Sequence, residues 1–131
     1  MCVYLGGCGE PSEVNVSLSG INYTDEYISD FLVNGYSGAN VLPHIGGGSY
    51  VCCVTIPRHW RPGLSATVRW TKNYTEVSSW KQKIVSIPQY KPEEIGFIAV
   101  HFYTNDDVKI LITKKSNWVS GYPYPEPSAH K

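Results

Sequence analysis

Apolar residues recur at every second position along much of the chain. Val14, Val16 and Leu18 alternate with Glu13, Asn15 and Ser17, and Ala66, Val68 and Trp70 alternate with Thr67, Arg69 and Thr71. Val108, Ile110 and Ile112 do the same against Lys109, Leu111 and Thr113. A period of two marks a strand with one buried face, because successive side chains leave the backbone on opposite sides. It also fixes register. Val68 and Trp70 are expected inside with Arg69 more exposed, since a slip of one residue would bury the guanidinium. In residues 27–33 the pattern sets Ile28 and Leu32 on one face and Tyr27, Phe31 and Val33 on the other. Residues 50–56 are mostly apolar, which predicts a central strand. Residues 84–87 are short and rich in β-branched side chains. Residues 95–103 are apolar on both faces, which predicts a strand deep in a sheet.

Turn signals punctuate these runs: Asn34-Gly35, Gly46-Gly47-Gly48, Arg61-Pro62-Gly63 and Asn105-Asp106-Asp107. No segment sustains an apolar period of 3.6 with caps. The expected fold class is all-β: an antiparallel β-sandwich of about seven strands, immunoglobulin-like. A length of 131 residues suits one domain. The expected organisation is a leader remnant and linker in 1–12, the sandwich in 13–115 and a Pro/Tyr-rich tail in 116–131. Gly121-Tyr122-Pro123-Tyr124-Pro125-Glu126-Pro127 is too rich in proline for a helix or a central strand. It is expected to be extended and packed through its tyrosines.

Composition narrows the function classes. The chain is 42% hydrophobic and 17% charged, a foldable globular balance. Eleven basic and eleven acidic residues cancel, which argues against a nucleic-acid partner, because such proteins carry a basic surface for phosphates. No apolar run approaches the ~18 residues that span a bilayer. The histidines His44, His59, His101 and His130 show no metal-ligand spacing, and no Gly-x-Ser-x-Gly elbow occurs. Neither a metal, a cofactor nor a catalytic residue is therefore expected. His101 sits in an apolar strand and reads as a core histidine with a satisfied ring. Gly46-Gly47-Gly48 leads into a strand and not a helix, so it reads as a turn and not a phosphate cradle. Asp106-Asp107 and Glu93-Glu94 read as solvated carboxylates.

Cys52-Cys53 is unusual. Neighbours on a flat strand point to opposite faces, so a disulfide between them requires a distorted peptide. Two half-buried thiols and a vicinal disulfide both remain open. Arg58, Trp60, Arg61, Arg69 and Trp70 interleave cations with indoles and suggest cation–π packing that fixes a loop. Asn15-Val16-Ser17, Asn22-Tyr23-Thr24 and Asn73-Tyr74-Thr75 match glycosylation sequons. They are expected to be coincidental.

Leu5-Gly6-Gly7-Cys8 resembles the lipobox of bacterial lipoproteins, in which small residues precede the cysteine that is acylated. Cys8, not Cys2, is the expected lipid attachment site. Gly9 lacks the aspartate associated with retention at the inner membrane, which points to the outer membrane. The membrane is then reached only through the lipid.

The segment 46–63, Gly-Gly-Gly-Ser-Tyr-Val-Cys-Cys-Val-Thr-Ile-Pro-Arg-His-Trp-Arg-Pro-Gly, resembles a family of proteobacterial lipoproteins with a domain of unknown function. Gly20-Ile-Asn-Tyr-Thr-Asp-Glu-Tyr-Ile28 and Val68-Arg69-Trp70 extend the resemblance. It implies a periplasmic immunity protein that binds and neutralises a type VI secretion phospholipase effector. Tyr and Trp make good interface anchors. The candidate contacts are loop 34–49 with Tyr36 and His44, then Trp118, Tyr122 and Tyr124. The alternative partner is a glycan or peptidoglycan fragment on an aromatic patch.

Overall fold

The computed structural model describes residues 12–46 and 50–127. Over these residues nine strands form two sheets, with no α-helix. They are β1 (Glu13–Asn22), β2 (Asp30–Val33), β3 (Tyr36–Ser37), β4 (Ile45–Gly46), β5 (Val51–Pro57), β6 (Ser65–Thr71), β7 (Lys81–Ser86), β8 (Phe97–Tyr103) and β9 (Asp107–Thr113). Seven have four or more residues, and β3 and β4 have two each. The sandwich class is as the pattern predicts. The Leu5–Cys8 motif, Gly47, Gly48 and His130 lie outside the described residues.

The first sheet runs β4-β1-β8-β9, with β5 pairing the earlier part of the β1 edge that β4 joins at Ile21 and Asn22. The second runs β3-β2-β6-β7. One pairing departs from the all-antiparallel expectation: β1 and β8 lie parallel, Ser17 opposite Phe97 through Asn22 opposite Phe102. A parallel neighbour needs a long crossover. Here the crossover contains the whole second sheet.

Alternate side chains from the two sheets meet between them. Phe31, Val33, Val68, Val54, Val100 and Phe102 are fully or almost fully buried there. Phe31 and Phe102 meet edge to face at 5.4 Å, and Trp70 lies 5.8 Å from Phe102. Gly38 passes over the Phe31 ring so closely that a methyl group there would overlap it. Val68 and Trp70 are buried and Arg69 is half-buried, as the register argument requires. The Arg69 guanidinium rests 4.9 Å from the centre of the Trp80 ring, beside β7, and not on Trp70. The Trp60 indole N–H donates to the Ile87 carbonyl at 2.8 Å and pins the β5–β6 connection.

Two strand expectations need correction. β5 is an edge strand and not a central one. It pairs only with β1, and only Val54 and Ile56 of its apolar run reach the core, while Cys52 and Thr55 are exposed. Alternation through 27–33 also fails, because the strand starts only at Asp30. Ile28 is buried through an isolated bridge to Val41, and Tyr27 turns outward. The Cys52–Cys53 peptide bond is cis and the two sulfurs are paired with each other, the vicinal alternative.

β8 is buried on both faces from Phe97 to Phe102. Ile98, Val100 and Phe102 face the second sheet, while Phe97 and Ala99 pack with Ile21 and Tyr23 on the outer side. The segment after β9 crosses that outer side as a strap. The side chain of its Tyr122 is buried against the sheet, only 5% exposed. His101 is fully buried, with Nδ1 3.1 Å from the Lys109 carbonyl and Nε2 2.5 Å from the Tyr122 hydroxyl. A carbonyl can only accept, so Nδ1 carries the proton and Nε2 accepts from the phenol. The ring is satisfied in its neutral form. Burial accordingly holds its pKa down to about 4.

Candidate functional site

Three connections at one end of the sandwich enclose a cleft of about 470 Å³. The first, after β1, is shaped by Asn22-Tyr23-Thr24. The Asn22 amide oxygen accepts from the Thr24 N–H at 2.9 Å and the Thr24 hydroxyl at 2.7 Å, and its amide nitrogen donates to the Glu26 carbonyl at 2.7 Å. The second, after β6, repeats the device. Asn73 Oδ1 accepts from the Thr75 N–H at 3.0 Å and the Thr75 hydroxyl at 2.7 Å. Such an Asx turn lets a side chain stand in for a backbone turn and fixes the loop locally. The two connections are then tied to each other. Ser29 N–H donates to the Thr71 carbonyl at 2.8 Å, and Tyr74 N–H donates to the Ser29 hydroxyl at 2.9 Å. The hydroxyls of Thr71 and Ser79 also meet.

The third wall is the tight β8–β9 turn, where Asn105 and Asp106 both take left-handed conformations, φ 64° and 61°. Asn and Asp tolerate that region better than other side chains with a Cβ. Lys81 Nζ donates to Asp106 Oδ1 at 2.7 Å, and Lys83 Nζ lies 3.9 Å from Asp107. Trp70 and Phe102 close the bottom of the cleft, Tyr27 stands on its rim, and Asp25, Glu26, Asp106 and Asp107 line it together with Lys72 and Lys81. Glu26 and Lys72 have no ion-pair partner among the described residues. Tyr27, Tyr74 and Val77 leave large apolar surfaces exposed at this end. Among the described residues no group of three His, Cys, Asp or Glu could hold a metal ion. Carboxylates, hydroxyls and aromatic edges surround this concave space.

The sequence-derived candidates fall elsewhere. His44 bridges two carboxylates, with Nε2 2.5 Å from Asp25 and Nδ1 2.8 Å from Glu126 of the strap. Those hydrogen bonds, Asp25 first and Glu126 second, raise its pKa. Tyr124 packs edge-on to His101 at 5.2 Å, and its carbonyl accepts from the Tyr23 hydroxyl at 2.7 Å. Lys109 Nζ lies 5.4 Å from the centre of the Tyr124 ring. So His44, Tyr122 and Tyr124 are brought together on the strap side. Tyr122 is an internal anchor there and not an open contact, because His101 and the outer sheet face enclose it. Trp118 stands 67% exposed on the strap, and Tyr36 lies apart, exposed on an edge strand of the other sheet. The cleft itself escaped the sequence reading. The available signal was the repeated Asn-Tyr-Thr, whose hydroxyl and amide serve turn geometry here. Asp106-Asp107, expected as plain surface carboxylates, lie in the cleft wall.

The fold and this site define a small β-sandwich protein with a preformed cleft at one end. The family model described as "Protein of unknown function (DUF3304)" matches residues 21–110, and the chain belongs to that family. The matched span contains all the residues that line the cleft and ends before the strap. No curated protein and no solved structure matches the chain.

Proposed function

We propose that this chain is a lipid-anchored periplasmic binding protein, attached through Cys8 to the outer membrane. It neutralises a type VI secretion phospholipase effector by binding, with no chemical step of its own. One observation carries the binding part of this reading: large apolar side chains stand exposed in groups on loops and strand edges. Tyr27 lines the cleft, Tyr74 and Val77 stand on the β6–β7 connection that supplies one of its walls, and Tyr36, Leu42, Ile45 and Tyr50 fall on the β3–β5 segment. Aromatic anchors of this kind dominate protein interfaces. Loops already fixed by side-chain hydrogen bonds lose little further freedom on association, which favours affinity. The lipobox and the resemblance of segment 46–63 supply the location and the class of partner.

The glycan reading draws on the cleft itself. Its volume falls in the range of small-molecule sites, ~300–1,000 Å³, and Thr24, Thr71, Ser78 and Ser79 offer hydroxyls beside the carboxylates.

Titrating a phospholipase encoded beside this gene, with fatty-acid release as the readout, tests the first reading. Activity should fall in proportion to added protein and vanish at one equivalent. Silencing of many equivalents by a trace amount would mean chemical modification and would overturn it. Undiminished activity at equimolar protein would overturn it too, and would turn attention to glycans.

A further inference from the structure

We propose that the end of the sandwich opposite the cleft faces the bilayer, where its basic side chains rest on anionic phospholipid headgroups and hold the cleft outward. This rests on the reading of Cys8 as the lipid anchor and gives the anchored domain an orientation. The strands define two ends. β1, β6 and β8 finish at the cleft, and β5, β7 and β9, antiparallel to them, finish at the other end. Glu13, the first residue of β1, is five residues from Cys8, and five residues span at most ~18 Å. An acyl chain on Cys8 therefore keeps this end beside the bilayer. A seven-residue strand such as β6 sets the cleft ~20 Å further out.

The connections at this end are tied together. Arg58 N–H donates to the Ser12 carbonyl at 2.9 Å, and Ile87 N–H to the Leu64 carbonyl at 3.0 Å. The Tyr90 hydroxyl donates to the Pro57 carbonyl at 2.5 Å. Gly96 lies so close to Lys114 that a methyl group on it would overlap that residue. Charge is divided unevenly between the ends. The described residues include ten basic and ten acidic side chains. Five of the basic ones, Arg58, Arg61, Lys91, Lys114 and Lys115, stand at this end against three acidic ones, Glu13, Glu93 and Glu94. The rest of the domain carries five basic and seven acidic side chains. One end is thus net positive and the remainder net negative, so an anionic surface attracts the first and repels the second. Arg61, Lys91, Lys114 and Lys115 are exposed, and none of the four enters an ion pair among the described residues. Glu94 is turned into its own loop, where it accepts from the Lys91 N–H at 2.8 Å. Segments 58–64 and 87–96 expose no large apolar side chain. That fits contact with headgroups and not insertion among acyl chains. Each basic residue near an anionic leaflet raises occupancy about fivefold.

Lysine labelling of the full acylated chain, set in vesicles, tests this. An uncharged amine-reactive ester is applied to the chain on phosphatidylglycerol and on phosphatidylcholine, and each lysine is read by mass spectrometry. On phosphatidylglycerol, Lys91, Lys114 and Lys115 should label about fivefold more slowly than on phosphatidylcholine, and about 0.5 M NaCl should restore them. Lys72, at the cleft, should label equally on both. The double variant Lys114→Gln, Lys115→Gln should return Lys91 to its phosphatidylcholine rate, because the charge contact that shields it is weakened. Equal labelling on the two lipids, equal slowing of Lys72, or shielding of Lys91 that survives salt or the double substitution would each overturn the proposal. The mass of the purified chain checks the anchor separately. A chain with no acyl group on Cys8 would overturn the anchor and this orientation together. An acylated chain with unshielded lysines would overturn the orientation alone and leave the anchor standing.

Discussion

The tripeptide Asn-Tyr-Thr occurs twice, after β1 and after β6, and forms the same Asx turn both times. Its tyrosines nevertheless have opposite fates. Tyr23 is 6% exposed and Tyr74 is 66% exposed. Local chemistry is identical, so the difference comes from what the rest of the chain brings. The strap covers Tyr23: its hydroxyl donates to the Tyr124 carbonyl, accepts from the Asn117 amide at 3.3 Å, and its ring packs on Tyr103 at 5.2 Å. Nothing among the described residues covers Tyr74. One side of the molecule shows an aromatic surface already occupied by its own chain. The other, beside the cleft, leaves aromatic surface exposed.

The contrast is sharpest in stability. Tyr23→Ala should cost ~3–5 kcal/mol, as for other large buried aromatics, while Tyr74→Ala should stay within about 0.5 kcal/mol, as for an exposed position. Chemical denaturation of both variants measures this. Similar losses would mean that Tyr74 packs as Tyr23 does.

His101 supplies the next largest effect. Burial first, then the nearby Lys109 charge, lowers its pKa, and the hydrogen bond to the Lys109 backbone opposes them; the net value is about 4. The unfolded ring titrates near 6.5, so below that pH the unfolded state takes up a proton that the folded state refuses. Stability is full above pH 6.5 and falls as pH drops towards 4, by an amount on the order of 3 kcal/mol. His101→Phe should flatten that slope. A wild-type slope that survives the substitution would place the titration elsewhere.

The two asparagines come third. Asn22 is fully buried and also reaches the Val41 carbonyl at 3.3 Å, so Asn22→Ala would orphan buried groups at a cost of ~2–3 kcal/mol. Asn73 is exposed, and Asn73→Ala should cost about 1 kcal/mol through loss of its turn. Thermal melts rank them, and a larger loss at Asn73 would break the comparison.

These differences also mark what the sequence could disclose. The alternation in Ala66–Trp70 carried strand, face and register together, and the two-sided apolar run in β8 announced its central place. Period two is blind to strand direction, so the parallel β1–β8 pair was not legible. It is equally blind to neighbours, which is why the apolar residues of β5 suggested a centre and occupy an edge. Asn22-Tyr23-Thr24 and Asn73-Tyr74-Thr75 were visible as repeats, but their shared role in one cleft arises when β1, β6 and β8 end at the same rim. That convergence is a property of topology. The tail was legible as tyrosine-packed and free of helix and strand, because proline excludes both, but its turns at Val119 and Tyr122, where an extended chain was expected, were not.

The smallest expected effect concerns the strap that separates the two tyrosines. His44 joins three segments: its own loop, Asp25 beside the cleft and Glu126 on the strap. The hydrogen bonds to Asp25 and Glu126 raise its pKa above 6.5. A raised value means that the folded state holds the proton more tightly than the unfolded one. The strap contact is therefore complete below pH 6.5 and weakens as pH rises through the raised folded value, opposite in sign to His101. The ring is exposed, so solvent screens the pair and the global change should be slight. The local change is the one to measure. Hydrogen-exchange protection factors at Val119 and Tyr122, whose amides donate to Ser116 and Val119, should decrease from pH 6 to pH 8. His44→Gln should remove that dependence and leave protection near the high-pH level throughout. A strap equally protected at both pH values in the unaltered protein would show that Tyr122 and Tyr124 hold it without the histidine, and that aromatic burial alone keeps Tyr23 covered.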